Sequence, residues 1–511
     1  MRKKLSIEIL IFTIYSVFIG LVLTKTAFIF QDDIIFGFPA VTKDYLGFYS
    51  NYLKNFGLFR PLALIYYFFI YNIYLIFPKL THLIPLVILT LAFFLIFKSL
   101  SLQGLSKKQS FSLGVLFLSI PFISETYAWF SANASIIVIF IFFLQIYLVE
   151  KDLIRKNLLK IILALQILSV FFYETIIFMS FALGYLLYFK GKIKNRLRLT
   201  IFSIIPIFAY FISKIIIRPQ FETRSKLITI FDIVSHWKTF FVQLKMLFSS
   251  NYLENFWRLE FVDGLNFIKN NPLVIILLTI FFLIIINRLF KSESKNIKKN
   301  YQSSLFFWLL SFILSLIPLS RQTDYLPFRT LILPIIIFFI CLFFVINLVY
   351  ANKTVGKMLD FLSLPFKIIF VLIIFAFLTI QISMVNQYAN QFKIDKKIVL
   401  EINKKLENLG FEHPYRSNLL LKNFSNNNVD RLVYGDYIYS LFHNYWSAEA
   451  LLDLNSGSFA KVGIEIPTEN LFSSKISKDE LLKLKPLTIM SFTDNKSCLK
   501  NECLKIEQVI K

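Results

Sequence analysis

The stretch RPLALIYYFFIYNIYLIF, residues 60–77, decides how the rest of this chain is laid out. A bilayer's hydrocarbon core takes about 20 apolar residues to cross, and this run comes close. Whether it crosses sets the side of every later segment. The surrounding chain repeats one theme, apolar runs of roughly 17–22 residues joined by polar links. Of the 511 residues, 57% are hydrophobic and 61 are Phe. Soluble domains are usually less than half apolar. The composition therefore predicts an α-helical polytopic membrane protein.

The other apolar runs are 6–29, 82–98, 109–122, 132–149, 157–172, 175–189, 199–217, 271–289, 302–319, 329–350 and 366–385. They amount to about eleven spans by length. The first follows MRKK, is too long for a signal-peptide core and has no A-x-A site after it, so it reads as a retained span starting in the cytosol.

Lysine and arginine settle the question of 60–77. If that run does not cross, one side of the membrane collects MRKK, the loop with Lys98, Lys107 and Lys108, EKDLIRK at 150–156 and KGKIKNRLR at 190–198. The same side takes RLFKSESKNIKKN at 288–300 and NKTVGK at 352–357. These segments carry roughly two dozen basic residues and few acids, as the positive-inside bias requires. If the run crosses, every later basic loop falls opposite MRKK. So 60–77 is expected to lie along the outer surface, or to dip in and return. Its Tyr66, Tyr67, Tyr71 and Tyr74 suit an interfacial helix.

This parity gathers polar segments on the outer face: QDDIIF at 31–36, ISETYAW around Glu125, FYETI around Glu174 and SRQTDYLPFR at 320–329. The loop 218–270 joins them, and so does the tail. The layout predicted is a transmembrane domain over 1–385, with outer loops 31–81 (surface helices) and 218–270, and a soluble extracytoplasmic domain over 386–511. Within the tail, 393–410 reads as an amphipathic helix closed by Gly410, and SNLLLKNF, DRLVYGDYIYSLF, GIEIP and PLTIMSF read as strands, giving a small C-terminal α+β domain. No tetratricopeptide period appears there. Cys498 and Cys503 form either a disulfide or two free thiols, and Cys341 lies in an apolar helix.

The net charge of +24 is explained by the cytoplasmic loops, so nucleic acid is excluded as a partner. HExxH, P-loop and GxSxG motifs are absent, and the 4 His are scattered. What remains is acids and arginines at one membrane face. Asp32 and Asp33 follow the first span; Glu125 and Glu174 sit in apolar surroundings, where a carboxylate needs a partner, water or a raised pKa. Arg60, Arg321 and Arg329 stand at the same boundary, and a guanidinium fork matches two phosphate oxygens. A carboxylate taking a proton from an acceptor hydroxyl, with an arginine stabilising a departing phosphate, is the chemistry this set suits.

Three features together resemble the GT-C superfamily of membrane glycosyltransferases, in particular the protein O-mannosyltransferase and transmembrane tetratricopeptide-repeat mannosyltransferase branch. They are the acidic pair Asp32-Asp33 after the first span, Arg60-Pro61-Leu62 opening an apolar stretch, and Pro121, Glu125 and Trp129 spaced by four. Glu174 resembles the glutamate of the later lysine-glutamate step, with Tyr173 in place of lysine. Ile120 stands where relatives often have histidine, FSANAS follows Trp129 where they have arginine and aspartate, and the repeats are missing.

The resemblance covers roughly residues 1–190. It implies an inverting transferase that moves a sugar from a polyprenyl-phosphate donor to a glycan, lipid or protein acceptor on the outer face of a bacterial-type plasma membrane. Asp32 or Asp33 would be the general base, with Asp32 favoured as nearest the bilayer. Arg60, Glu125, Glu174, Arg321 and Arg329 would bind substrate. The resemblance fixes no cofactor; a divalent cation is the one candidate, and its use stays open because it varies across the superfamily. The rival readings are a lipid-linked glycan flippase or other transporter, and a polymerase or ligase of surface polysaccharide centred on the 218–270 loop.

Overall fold

A computed structural model describes residues 7–23, 44–55, 60–151, 157–217, 257–290, 301–317, 328–350, 363–410, 418–423, 462–466, 471–473, 477–493 and 502–510, with single positions between them. Helices come first: α1 (Ile7–Leu23), α2 (Tyr45–Asn55), α3 (Pro61–Ile76), α4 (Leu83–Leu102), α5 (Lys107–Ser119), the short α6 (Ile123–Ala128), α7 (Asn133–Lys151), α8 (Leu158–Phe172), α9 (Met179–Phe189) and α10 (Arg196–Ile217). Next are α11 (Arg258–Lys269), α12 (Pro272–Phe290), α13 (Tyr301–Leu316), α14 (Phe328–Tyr350) and α15 (Ser363–Asn408). Each run expected to span contains one of these helices.

By length and composition α4, α7, α10, α14 and α15 can each cross a membrane, which makes 5 candidate spans among the described residues. The pair α11–α12, bent by 109° at Asn270–Asn271, raises this to 6. Helices α8, α9 and α13 are apolar but shorter, and they share one continuous core with the long ones. The protein is thus mostly helical, with 5 to 6 candidate spans among the described residues where about eleven were expected in the chain.

Local chemistry sets the element ends. Ser106 and Gln109 form a capping box at the start of α5. Ile120 precedes Pro121 and is pushed out of the helical region, with ψ 119, so α5 stops and α6 starts afresh. Pro61 occupies the first turn of α3, where its missing N–H costs nothing.

Side-chain contacts follow an up-and-down path. At one end, rich in lysine and arginine, Lys190 Nζ meets Glu150 Oε2 at 2.5 Å, Gln109 Nε2 donates to Asn347 Oδ1 at 2.6 Å, and Trp308 Nε1 donates to Gln103 Oε1 at 2.7 Å. At the other, acidic end the His82 ring stacks on Phe130 at 4.7 Å, and Phe122 packs on Trp257 at 6.0 Å. Each contact joins segments that the alternating path puts on the same side.

Helix α3 departs from this path. Arg60 reaches Glu174 just past α8, Tyr66 packs on Phe172 at 6.5 Å, and Tyr74 packs on Phe130 at 6.0 Å. All three partners lie where α8 ends or α7 begins. The helix from residue 60 to 74 covers about 21 Å, yet it never leaves that end of the bundle. It lies across α7 and α8 rather than running beside them.

The last helix joins two elements expected separately. Residues 366–385 and 393–408 belong to α15, 46 residues in all and about 69 Å long at 1.5 Å per residue. Nothing between them breaks a helix, since 386–392 read NQYANQF. Gly410, at φ +79, closes it in the left-handed region as expected. Helix α11 crosses α15 so closely that a Cβ on Gly264 would stand 2.1 Å from the Thr379 carbonyl oxygen.

Beyond α15 lies a five-stranded sheet built from β1 (Asn418–Lys422), β2 (Val462–Ile466), β3 (Leu471–Ser473), β4 (Leu487–Phe492) and β5 (Leu504–Ile510), with α16 (Lys478–Leu482) before β4. The spatial order is β3-β2-β1-β4-β5. Strand β1 is parallel to β2 and β4, and the edge strands are antiparallel to their neighbours. Strands β1, β2 and β4 fall on three of the four runs expected; the fourth, 430–442, lies outside the described residues, and β3 and β5 were not anticipated. Leu419, Leu421, Met490 and Phe492 join the core shared with α15, while Leu420, Leu487 and Ile489 pack with Leu481 of α16 on the opposite face. Cys498 and Cys503 form a disulfide. Glu401 of α15 accepts the Cys503 N–H at 2.7 Å and the Leu504 N–H at 3.1 Å, and Lys397 donates to the Cys498 carbonyl. The disulfide loop is thereby latched to the long helix.

Candidate functional site

The acidic end of the bundle holds the residues of interest. Arg60 caps α3, and Tyr173 is extended, with φ −156 and ψ 119, which ends α8 and turns Glu174 back toward Arg60. The pair is bidentate: Nε donates to Oε2 at 2.6 Å and Nη2 to Oε1 at 2.7 Å. The guanidinium carbon also lies 4.0 Å from the centre of the Tyr173 ring. Burial disfavours the Arg60 charge, but Glu174, Tyr173 and Tyr67 outweigh it and hold the guanidinium above its ordinary range. The pair is side-on, using Nε and Nη2 of the guanidinium.

Glu125 sits in the first turn of α6 and is buried, with 4% of its surface exposed. Its helix is wedged among α4, α7, α14 and α15. Asn133 ties the α6–α7 junction by donating to the Thr126 carbonyl at 2.6 Å and the Trp129 carbonyl at 2.9 Å. The Tyr66 hydroxyl then donates to Asn133 Oδ1 at 3.2 Å. One hydrogen-bonded path therefore runs from the backbone beside Glu125 to α3, the helix that carries Arg60.

Of the anticipated site residues, the structure joins Arg60 directly to Glu174 and links Glu125 to their helix. Asp32, Asp33 and Arg321 lie outside the described residues. Arg329 falls in the first turn of α14, which packs against α6, but its side chain is likewise outside the description. Among the described residues no three His, Cys, Asp or Glu side chains gather as a metal-ligand set.

A second acidic element was not anticipated. Glu260, near the end of the 218–270 loop and in the first turn of α11, is fully buried. Ser383 donates to its Oε2 at 2.7 Å, and Gln387 Nε2 lies 2.8 Å from both carboxylate oxygens. The available signal was on α15: Gln381, Ser383 and Gln387 punctuate an otherwise apolar run, and buried polar groups require partners. No family model, no curated protein and no solved structure matches this chain.

Proposed function

We propose that the protein is an integral membrane glycosyltransferase of GT-C type, which moves a sugar from a polyprenyl-phosphate donor to an acceptor on the extracytoplasmic face. In this reading Asp32 or Asp33 removes the proton from an acceptor hydroxyl. The oxygen attacks the anomeric carbon from the face opposite the phosphate, the carbon–oxygen bond to phosphate breaks, and polyprenyl phosphate leaves with inverted configuration at the sugar. Arg60, with Arg321 and Arg329, takes up the charge on the leaving phosphate. Glu174 holds Arg60 in place, and Glu125 lines the site.

The observation that supports this best is the placement of α3. It lies across the acidic end with Arg60 gripped by Glu174, as expected of an interfacial helix that brings a phosphate-binding arginine to the membrane surface. The 5 to 6 candidate spans and the disulfide-bearing C-terminal sheet are consistent with a multi-pass protein whose tail is extracytoplasmic.

The test is transfer of labelled sugar from a polyprenyl-phosphate donor by purified protein. Asp32→Asn and Asp33→Asn variants that insert normally are expected to lose transfer in at least one case. Full activity in both would remove the base assignment. Glu260 favours one other reading, a surface-polysaccharide polymerase or ligase, because it places a buried carboxylate at the end of the 218–270 loop. That reading predicts that Glu260→Gln abolishes activity while both aspartate variants retain it.

A further inference from the structure

The helix carrying Glu125 is fastened at its entrance by a residue remote in sequence. Helix α5 ends at Ser119, and its last carbonyls have no partner within the helix. Pro121 has no N–H to offer, and the site is dry: Ile120 is 5% exposed, Leu118 and Gln381 are fully buried. The Ile120 carbonyl accepts the Ile123 N–H at 3.1 Å, and Gln381 of α15 adds a side-chain donor that bridges it to the Leu118 carbonyl. Its Nε2 donates to the Leu118 carbonyl at 3.2 Å and to the Ile120 carbonyl at 3.3 Å. The Tyr15 hydroxyl of α1 stands 3.1 Å from both the Leu118 carbonyl and Gln381 Oε1.

We infer that Gln381 is a positioning residue for Glu125, and that it also ties α6 to α1, the helix that leads to Asp32 and Asp33. This role rests on the transfer reading above. The Gln381 amide thereby braces the joint between α5 and α6 across two carbonyls, and the placement of Glu125 is coupled to the last helix of the bundle. Ser383 and Gln387, on the same helix, hold a different element, α11. The two sets of contacts should therefore be separable.

The test uses the full-length protein in detergent or nanodiscs, with Gln381→Leu and the unbranched Gln381→Met as variants and Ser383→Ala as control. Backbone amide exchange is expected to quicken by about tenfold or more over 122–129 in the Gln381 variants, and to stay within twofold over 258–269. Ser383→Ala should do the reverse. If Gln381→Leu does not fold, Gln381→Met is read alone. Unchanged exchange over 122–129 in a folded Gln381 variant overturns the inference, and so does equal quickening in both segments.

The catalytic arm is a double-mutant cycle. Gln381→Leu should lower kcat for sugar transfer by about tenfold with donor KM within twofold, since small misplacements of a site residue cost rate. Adding it to Glu125→Gln should cause no further loss. Independent, multiplicative losses would make Gln381 merely structural and overturn the positioning role. If the unaltered protein transfers no sugar, the transfer reading fails, and amide exchange still decides whether Gln381 orders α6.

Discussion

The ion pair between Arg60 and Glu174 is the most direct point at which to test the site. Glu174→Gln keeps the side chain's size and removes its charge. The partners are partly shielded, with side-chain exposures of 15% and 26%. A fully exposed pair would contribute about 0.2–1 kcal/mol, whereas stripping one partner from a fully buried pair costs about 3–5 kcal/mol. Bidentate geometry in an intermediate setting places the expected loss at about 1–3 kcal/mol. Arg60 keeps its contact with the Tyr173 ring, so the loss should sit toward the lower half of that range. The assay is unfolding of the full-length protein in mixed micelles, run as a cycle of Arg60→Met, Glu174→Gln and the double variant. A coupling of about 1 kcal/mol or more is expected from the close contact. A coupling near zero would show that the pair does not hold α3 in place, and the fixed arginine at the centre of the proposed function would go with it.

Other perturbations report on the scaffold. Gly264→Ala sets a methyl group against the Thr379 carbonyl, a backbone atom that cannot swing away; it should destabilise the α11–α15 crossing by about 1–3 kcal/mol, read by faster amide exchange over 258–269. Cys503→Ser opens the short loop at the end of the sheet and should lower its stability by about 2 kcal/mol on the loop-entropy account. Glu401→Gln, which weakens the latch on two backbone N–H groups, should cost a similar amount, about 1.5–3 kcal/mol for bonds to a charged acceptor. Either is followed by protease susceptibility of the tail domain.

Hydropathy made the helices legible because a bilayer imposes one length and one polarity on every span, so each apolar run became a helix. The expectation that 60–77 does not cross comes from charge bookkeeping, with its four tyrosines in support, and the contacts of α3 with Glu174, Phe172 and Phe130 agree with it. The pairing of Arg60 with Glu174, residues 114 apart, could not be seen in sequence. Both had been singled out separately, and only the extended Tyr173 brings them together. Glu260 escaped notice because WRLEFV carries no pattern; its meaning lies in Ser383 and Gln387, one helical turn apart on a distant element. The continuity of α15 was missed for a different reason. Polarity changes sharply near residue 386, which marks a change of surroundings and not of element, since no residue there interrupts helical hydrogen bonding. Strand β5 was missed because it is an edge strand with mostly exposed side chains and lacks the alternation that marks a half-buried strand.

The side assignment rests on two arguments that share no residues. In the proposed layout, lysine and arginine in the loops assign the tail to the side opposite the cytosol, and the Cys498–Cys503 disulfide is consistent with an oxidising compartment on its own account. Their agreement can be broken by labelling intact cells with a membrane-impermeant maleimide. Lys483→Cys places an exposed thiol just after α16, and Lys194→Cys places one in the exposed link between α9 and α10. The native cysteines should not interfere, since Cys341 is buried and the other two are joined. The expected result is labelling at position 483 in intact cells and at position 194 only after permeabilisation. The reverse pattern would invert every segment together, because one path connects them. Labelling of both in intact cells would mean an odd number of crossings has been miscounted between 194 and 483, and the membership of SRQTDYLPFR at the acidic end would then fall while Arg60, Glu125 and Glu174, all earlier in the chain, would stay together.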